Sequence, residues 1–428
     1  MAALRNTLLP LRLSRLPARK FSLYAPLGAS KAERFALDVK TAQFPHGFLA
    51  TGLHCGVKKD PTKLDLAVII SDRPCSAAAT FTRNAFVAAP VVVSKEVLWN
   101  GKGIARGLVV NSGCANAVTG AQGLKDARAM SEKLDSFLAG STSSHGTGTL
   151  VMSTGVIGQL LPIDNILAGI TASTSTLGSR YSAWSNAAKA FMTTDTFPKL
   201  RTRTFELGGK EVRMVGIDKG AGMIHPSMEG PPAPPHATML GMIATDAAIS
   251  PAALQSALVY AVDRSFNSIS VDGDMSTNDT IVVLANGASG AKEVTEKGTP
   301  EEYLKFRNEL TSFSAELAQL IVRDGEGATK FVKIQVKVGP SSHTSPSRLT
   351  RCVGSTDIRR CAQNRFDRIN IVTRQDSTTR IRRELGSNTL CRRVRLTTHV
   401  QDRPRSRIRL IRTGRRNCSS EIAGQGRA

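Results

Sequence analysis

The chain contains no apolar run approaching the roughly 18 residues that a spanning helix requires, so no membrane span is expected. Cysteine is scarce. Cys55, Cys75 and Cys114 lie in the body without metal-ligand spacing and read as buried thiols of a reducing compartment. Acids are missing from the first 31 residues, which carry six basic groups. Lysine is missing from residues 341–428, which carry 21 Arg against six acids, and Phe366 is the one aromatic there. The formal net charge of +23 would suggest a nucleic-acid or membrane-surface partner, but residues 32–340 hold 30 basic and 28 acidic groups. The excess sits at the two ends, so the total says nothing about what the body binds.

The basic start places Arg5, Arg12, Arg15, Arg19 and Lys20 among Leu, Ala and Ser, the composition of a mitochondrial transit peptide. Arg19-Lys20-Phe21-Ser22 resembles a matrix-peptidase site, which makes 1–21 the transit peptide and the matrix the expected destination. A plain basic arm is the alternative. At the other end, 339–428 has no sustained hydrophobic period and uses Arg where the body uses both Arg and Lys. It is expected to be disordered or to come from a shifted reading frame, which would leave the preceding strand, 330–338, with an open edge. A single-strand nucleic-acid groove would add aromatic platforms that this tail lacks. The rival reading as a basic RNA-binding protein therefore rests on arginine alone.

Between the ends, 64–70 and 88–93 are rich in β-branched residues and predict strands. Residues 107–111 predict another, ending in a glycine turn at Ser112-Gly113. Residues 121–139 predict a helix, apolar at Ala127, Met130, Leu134 and Phe137 and stopped by Gly140. A short strand at 150–152 runs into Ser153-Thr154-Gly155. A helix over 251–264 takes Ser250 as N-cap and Pro251 at its first position. Residues 280–284 predict a strand and 300–322 a long amphipathic helix. Strands alternating with helices make a layered α/β body.

The most informative run is Asp218-Lys219-Gly220-Ala221-Gly222-Met223-Ile224-His225-Pro226, followed by His236-Ala237-Thr238-Met239-Leu240-Gly241. A threonine hydroxyl alone is a poor nucleophile because its proton has nowhere to go. Cutting Ala237–Thr238 would free an α-amine with a pKa of roughly 7.7–8 beside that hydroxyl, making one residue both nucleophile and base. His225 and His236, on either side of the proline-rich insert 229–235, are then not needed as the base. Asp272, Asp274 and Asp279 hint at a cation loop, but the spacing misses the twelve-residue calcium pattern, and capping or turn roles are expected.

These residues resemble the self-cleaving ornithine acetyltransferases, the bifunctional glutamate N-acetyltransferases of the cyclic arginine pathway. Further runs carry the likeness: Asn111-Ser112-Gly113-Cys114-Ala115-Asn116-Ala117, Met152 to Gly158, Met192-Thr193-Thr194-Asp195-Thr196, Ser270 to Asp279 and Arg323 to Lys330. Together they span about 36–338. The resemblance implies a layered α/β fold shared with N-terminal-nucleophile-like aminopeptidases, and an α chain (22–237) and β chain (from 238) assembling as a heterotetramer. It implies Thr238 as nucleophile of cleavage and of acetyl transfer, and Thr154 and Gly155 as oxyanion hole. Lys219 would hold the substrate carboxylate or polarise the site, Thr194 beside Thr193 would bind the amino-acid end, and Glu326 would meet an ammonium. No cofactor is expected, and acetyl-CoA stays open as a co-substrate. The family's C-terminal Asn and Thr substrate contacts have no counterpart here. A self-processing aminopeptidase and a catalytically inactive product remain the enzyme-class rivals.

Overall fold

The computed structural model describes residues 29–138, 148–228, 239–328 and, further on, 331–337, 352–353, 369–371, 381–383 and 395–401. The expected transit peptide 1–21, Gly140, the insert 229–235, His236 and the pair Ala237-Thr238 lie outside the described residues.

Eight strands form one mixed sheet: β1 (Phe48–Leu53), β2 (Leu66–Phe81), β3 (Ile104–Cys114), β4 (Gly148–Val156), β5 (Lys199–Leu207), β6 (Lys210–Lys219), β7 (Leu240–Thr245) and β8 (Thr280–Ala285). Their order is β4-β3-β2-β8-β7-β6-β5, with β1 also on β2. The pairs β3–β4 and β7–β8 are parallel and the others antiparallel. The helices are α1 (Lys31–Phe35), α2 (Ala89–Asn100), α3 (Gly120–Leu138), α4 (Ile163–Ser173), α5 (Tyr181–Phe191), α6 (Pro251–Asp263) and α7 (Pro300–Arg323).

Side chains alternate across a strand, and here the alternation divides the core into layers. Ala67, Ile69, Leu108, Val110, Val215, Ile217, Met242 and Val282 face one way and pack with Trp184, Ala187 and Phe191 of α5. Their neighbours Leu66, Val68, Val109 and Val151 face the other way, under α3 and α4. Met214, Ile243, Ile281 and Val283 share that second face and pack under α6 and α7 through Leu254, Leu258, Phe313 and Leu317. Both faces of the sheet are covered, which is why its strands read as near-continuous apolar runs. The layered α/β expectation is what the structure has.

Four local expectations need correction. Residues 88–93 do not form a strand, because Ala89–Asn100 is helix α2 with Pro90 in its first turn. Proline has no N–H for a ladder but suits a first helical turn, and this outweighs the valine run. Ser94 of this helix then donates to Val151 O (2.7 Å) and accepts from Val151 N (2.9 Å), capping backbone groups of the edge strand β4. Phe137 is exposed rather than core, and Ser250 sits at the N-cap position of α6 without a side-chain cap bond. The last strand, β9 (Phe331–Lys337), is not an open edge. It pairs with β10 (Cys352–Val353) and β13 (Arg395–Gln401), while β11 (Ile369–Ile371) pairs with β12 (Ile381–Arg383). Backbone pairing asks only for extended segments with free N–H and C=O groups, so unusual composition does not prevent it. None of these later strands joins the eight-stranded sheet.

Candidate active site

Parallel strands end side by side, and β3 and β4 end with Ser112 opposite Thr154 and Gly113 opposite Gly155. The approach is so close that a Cβ on Gly155 would stand 2.3 Å from the Gly113 carbonyl carbon, and its φ of +130° also excludes other residues. Hydrogen bonds fix this corner. Ser153 Oγ donates to Asn111 Oδ1 (2.5 Å), and Asn278 Nδ2 donates to Ala115 O (2.6 Å) and Ser153 O (2.8 Å). Thr154 is buried there, and Lys219 Nζ at the end of β6 donates to its Oγ1 at 2.9 Å. Lys219 is 4 % exposed, so it is not a solvated turn lysine. The resemblance gave Lys219 to the substrate carboxylate or to polarising the site, and its hydrogen bond among the described residues is to the candidate oxyanion threonine.

A second group of contacts holds the other candidates. Lys199 Nζ lies between two buried carboxylates, donating to Asp195 Oδ1 (2.5 Å) and Asp324 Oδ2 (2.7 Å). Asp195 also accepts from Thr193 N (2.9 Å) and Gly220 N (2.7 Å). Asp324 also accepts from Thr196 N (2.9 Å) and from the Thr196 hydroxyl. One ammonium thus joins the segment after α5, the turn after β6 and the end of α7. It brings Thr193, Lys219 and Glu326 into one neighbourhood. Glu326 N donates to Ala221 O (2.8 Å), and its exposed carboxylate lies against Gly222, where a Cβ would meet it at 2.6 Å. Thr193 is half-buried and Thr194 exposed.

Charge behaviour follows burial and partners. Burial alone would raise the Asp195 carboxyl, but Lys199, Lys219 and the Gly220 N–H outweigh it and hold it at about 2. Burial works against the Lys199 ammonium, and Asp195, Asp324 and Asp218 overcome it, so its pKa is raised. Burial lowers Lys219 despite help from Asp195, Asp279 and Glu326. Asp218 and Asp279 are fully buried, and among the described residues their carboxylate oxygens have no hydrogen-bond partner. Burial pushes both carboxyls well above the usual range. Lys58, which donates to Leu64 O (2.6 Å) and Met192 O (2.8 Å), is lowered by burial to about 8.

Of the three loop aspartates, Asp272 accepts from Met223 N (2.6 Å) and Ile224 N (2.9 Å), the turn role expected of it. Asp274 is exposed, and Asp279 caps nothing with its side chain, which corrects that expectation. Among the described residues no group of three or more His, Cys, Asp or Glu is arranged to hold a metal ion. His225 is buried with Nδ1 2.9 Å from Ser270 Oγ. Cys75 and Cys114 are buried free thiols and Cys55 is half-buried. Sequence reasoning did not single out Lys199 or Lys58, and it gave no role to Asp195 or Asp324. The last two sit inside quoted runs, and an acid repeated in two such runs was the available signal.

The profile of the ArgJ family matches residues 49–367. The mitochondrial arginine biosynthesis bifunctional protein ArgJ of Postia placenta is 57% identical over 359 residues, covering 80% of this chain and 77% of that protein. Its counterpart in Coprinopsis cinerea is 59% identical over 350 residues, covering 78% and 74%. Among solved structures, ornithine acetyltransferase complexed with ornithine from Mycobacterium tuberculosis is 34% identical. It covers 43% of this chain and 94% of that one at a TM-score of 0.36.

Proposed function

The chain belongs to the ArgJ family, and from that premise we propose that it moves an acetyl group from N-acetylornithine to glutamate in arginine biosynthesis, through an acetyl ester on Thr238. The observation that carries the reading is the Lys219–Thr154 contact at the Gly155 corner, because it gathers aimed donors at the entry to β7. The described chain resumes there at Met239, next in sequence to the nucleophile.

Cleavage at Ala237–Thr238 frees the α-amine. In the first half-reaction the Thr238 oxygen bonds to the acetyl carbon while its proton passes to that amine. The C–N bond then breaks and the proton leaves with ornithine. In the second, the glutamate amine takes the acetyl group and the Thr238 hydroxyl is restored. Thr154 and Gly155 stabilise the tetrahedral oxyanion, Thr193 and Thr194 bind the amino-acid end, and Glu326 meets an ammonium. All these groups are amino acids, so no cofactor is called for, and acetyl-CoA is an additional donor to be assayed. The two cleavage products assemble as a heterotetramer. The relatives named mitochondrial and the acid-free, arginine-rich start support a mitochondrial location, with the matrix as destination.

The test is to supply N-acetylornithine and glutamate and follow ornithine and N-acetylglutamate. Release of free acetate instead would identify a hydrolase of the aminopeptidase type. Thr154→Ala should lower kcat for transfer about 10²–10³-fold, the loss expected for one oxyanion donor, with intact mass checking that cleavage still occurs.

Residues 339–428 we read as coming from a shifted frame, on their composition, although the family match runs on to residue 367. Replacing them with a family-type C-terminus carrying the Asn and Thr contacts should raise acetyl transfer in the same assay. Full activity of the 428-residue chain, or an unbroken reading frame across codons 330–345, would remove that reading.

A further inference from the structure

Helix α5 ends at Phe191 with Met192 as its C-cap, and a C-cap carbonyl has no partner within its own helix. Thr193 and Thr194, read above as binding the amino-acid end, follow at once. Lys58 Nζ, half-buried, donates to Met192 O at 2.8 Å and to Leu64 O at 2.6 Å. A lysine at a helix C-terminus suits both the orphan carbonyl and the helix dipole. We propose that Lys58 is a positioning residue of the acyl-transfer site. It ties the threonine pair to the loop that packs on the Thr154-Gly155 corner, and so sets where the end common to both substrates lies. The inference rests on the acyl-transfer reading above.

Lys58 stands on the connection between β1 and β2, and one buried carboxylate shapes that connection. Asp65 accepts from Cys55 N (2.6 Å), Gly56 N (3.2 Å) and Lys58 N (2.9 Å). The Asp65 carbonyl accepts from Ser112 N (2.8 Å), which fixes the loop to the end of β3. The loop then lies against the next residue of that strand. A Cβ on Gly113 would stand 3.1 Å from both Lys58 Cγ and Val57 Cγ1. Gly113 is the residue that Gly155 approaches. The stem of Lys58 is thus beside the oxyanion corner, while its ammonium holds the carbonyl that precedes the threonine pair.

The other end of the same short segment has a separate anchor, because Asp195 binds Lys199 and Gly220 N. Thr193 and Thr194 are therefore held from both sides, by Lys58 through residue 192 and by Lys199 and Gly220 through residue 195. Ornithine and glutamate share an α-amino-acid end and differ in the side chain, an ammonium in one and a carboxylate in the other. A misplaced threonine pair is felt equally by both, whereas loss of a group that meets the side chain is felt by one. The shared end does not react beyond its nitrogen, so contacts to its carboxylate are alike before and during transfer. Losing them raises KM and leaves kcat nearly as it was.

The experiment is steady-state kinetics on the cleaved full chain, varying N-acetylornithine and glutamate in turn. Lys58→Met keeps the stem and removes the donors. Both KM values should rise about tenfold, the scale of one charge-assisted hydrogen bond, with kcat kept within about threefold. Lys58→Arg can still donate to both carbonyls and should restore KM most of the way. Lys58→Gln takes the place of the Met variant if that one does not fold or cleave. A lowered kcat with both KM values unchanged means a purely structural lysine and overturns the inference. A rise confined to one substrate, or an Arg variant as impaired as Met, overturns it too. If the unaltered chain transfers no acetyl group, the proposed function fails instead, and calorimetric binding of ornithine then reads Lys58 alone. A Kd about tenfold higher in Lys58→Met is expected there, and an unchanged Kd, or no binding by the unaltered chain, overturns the inference.

Discussion

A Thr238→Ala chain should remain one polypeptide by intact mass, while the unaltered chain resolves into a fragment ending at Ala237 and one beginning at Thr238. The hydroxyl oxygen must bond to the Ala237 carbonyl carbon before the peptide C–N bond can break. The hydroxyl's proton passes to the departing nitrogen, which becomes the free α-amine, and water then splits the ester to release the Ala237 carboxylate and restore the Thr238 hydroxyl. Alanine has no oxygen to begin this. Acetyl transfer should fall with it by on the order of 10⁴-fold or more, as expected when a covalent nucleophile is removed. Thr238→Ser retains the hydroxyl and should still cleave, at a lower rate. Because the freed α-amine acts as base only when neutral, transfer by the cleaved chain should rise with pH through roughly 7.7–8. Equal cleavage in Thr238→Ala and the unaltered chain would move the nucleophile elsewhere.

Which parts of this molecule could be read from sequence depended on how local their causes are. The apolar, β-branched runs of the strands and the period of α7 are properties of neighbouring residues. They gave β8 and α7 close to their observed bounds and the core of β3, but only the first part of β2, which runs on to Phe81. Helix α2 misled because its valines state a preference that Pro90 and the edge-capping Ser94 override, and the second effect depends on a strand about 57 residues away. The corner at Thr154-Gly155 was named from a family resemblance, and its steric basis, Gly113 against Gly155, comes from two strands meeting. The Lys219–Thr154 contact spans 65 residues, and no local pattern announces it. Asp279 was read as a turn residue because aspartate before a strand usually is one. Only the fold reveals that its carboxylate is buried, with no hydrogen-bond partner among the described residues.

Lys199→Met should destabilise the protein by about 3–5 kcal/mol, the penalty for breaking a buried charge cluster from one side. The lysine is fully buried between Asp195 and Asp324, and without it both carboxylates are left facing each other with little solvent. Thermal unfolding measured against pH gives the deciding signature. In the unaltered chain Asp195 is held at about 2, below its unfolded value, so its contribution is present above the unfolded pKa and is lost as pH falls through about 2. Without the ammonium, burial and the facing carboxylate should raise its folded pKa above the unfolded one. Stability would then be greatest below the unfolded pKa and lost as pH rises, so the deficit of Lys199→Met should be largest near neutrality and shrink toward pH about 4. Adding Asp195→Asn and Asp324→Asn should recover part of the loss, because the stranded charges are gone. Acetyl transfer should not recover with it. Gly220, Thr193 and Thr196 take their positions from these two carboxylates, and the Lys219 turn and the threonine pair would drift apart even in a stable chain. A variant with unchanged melting at pH 7 would mean that the cluster contributes nothing to holding those segments together.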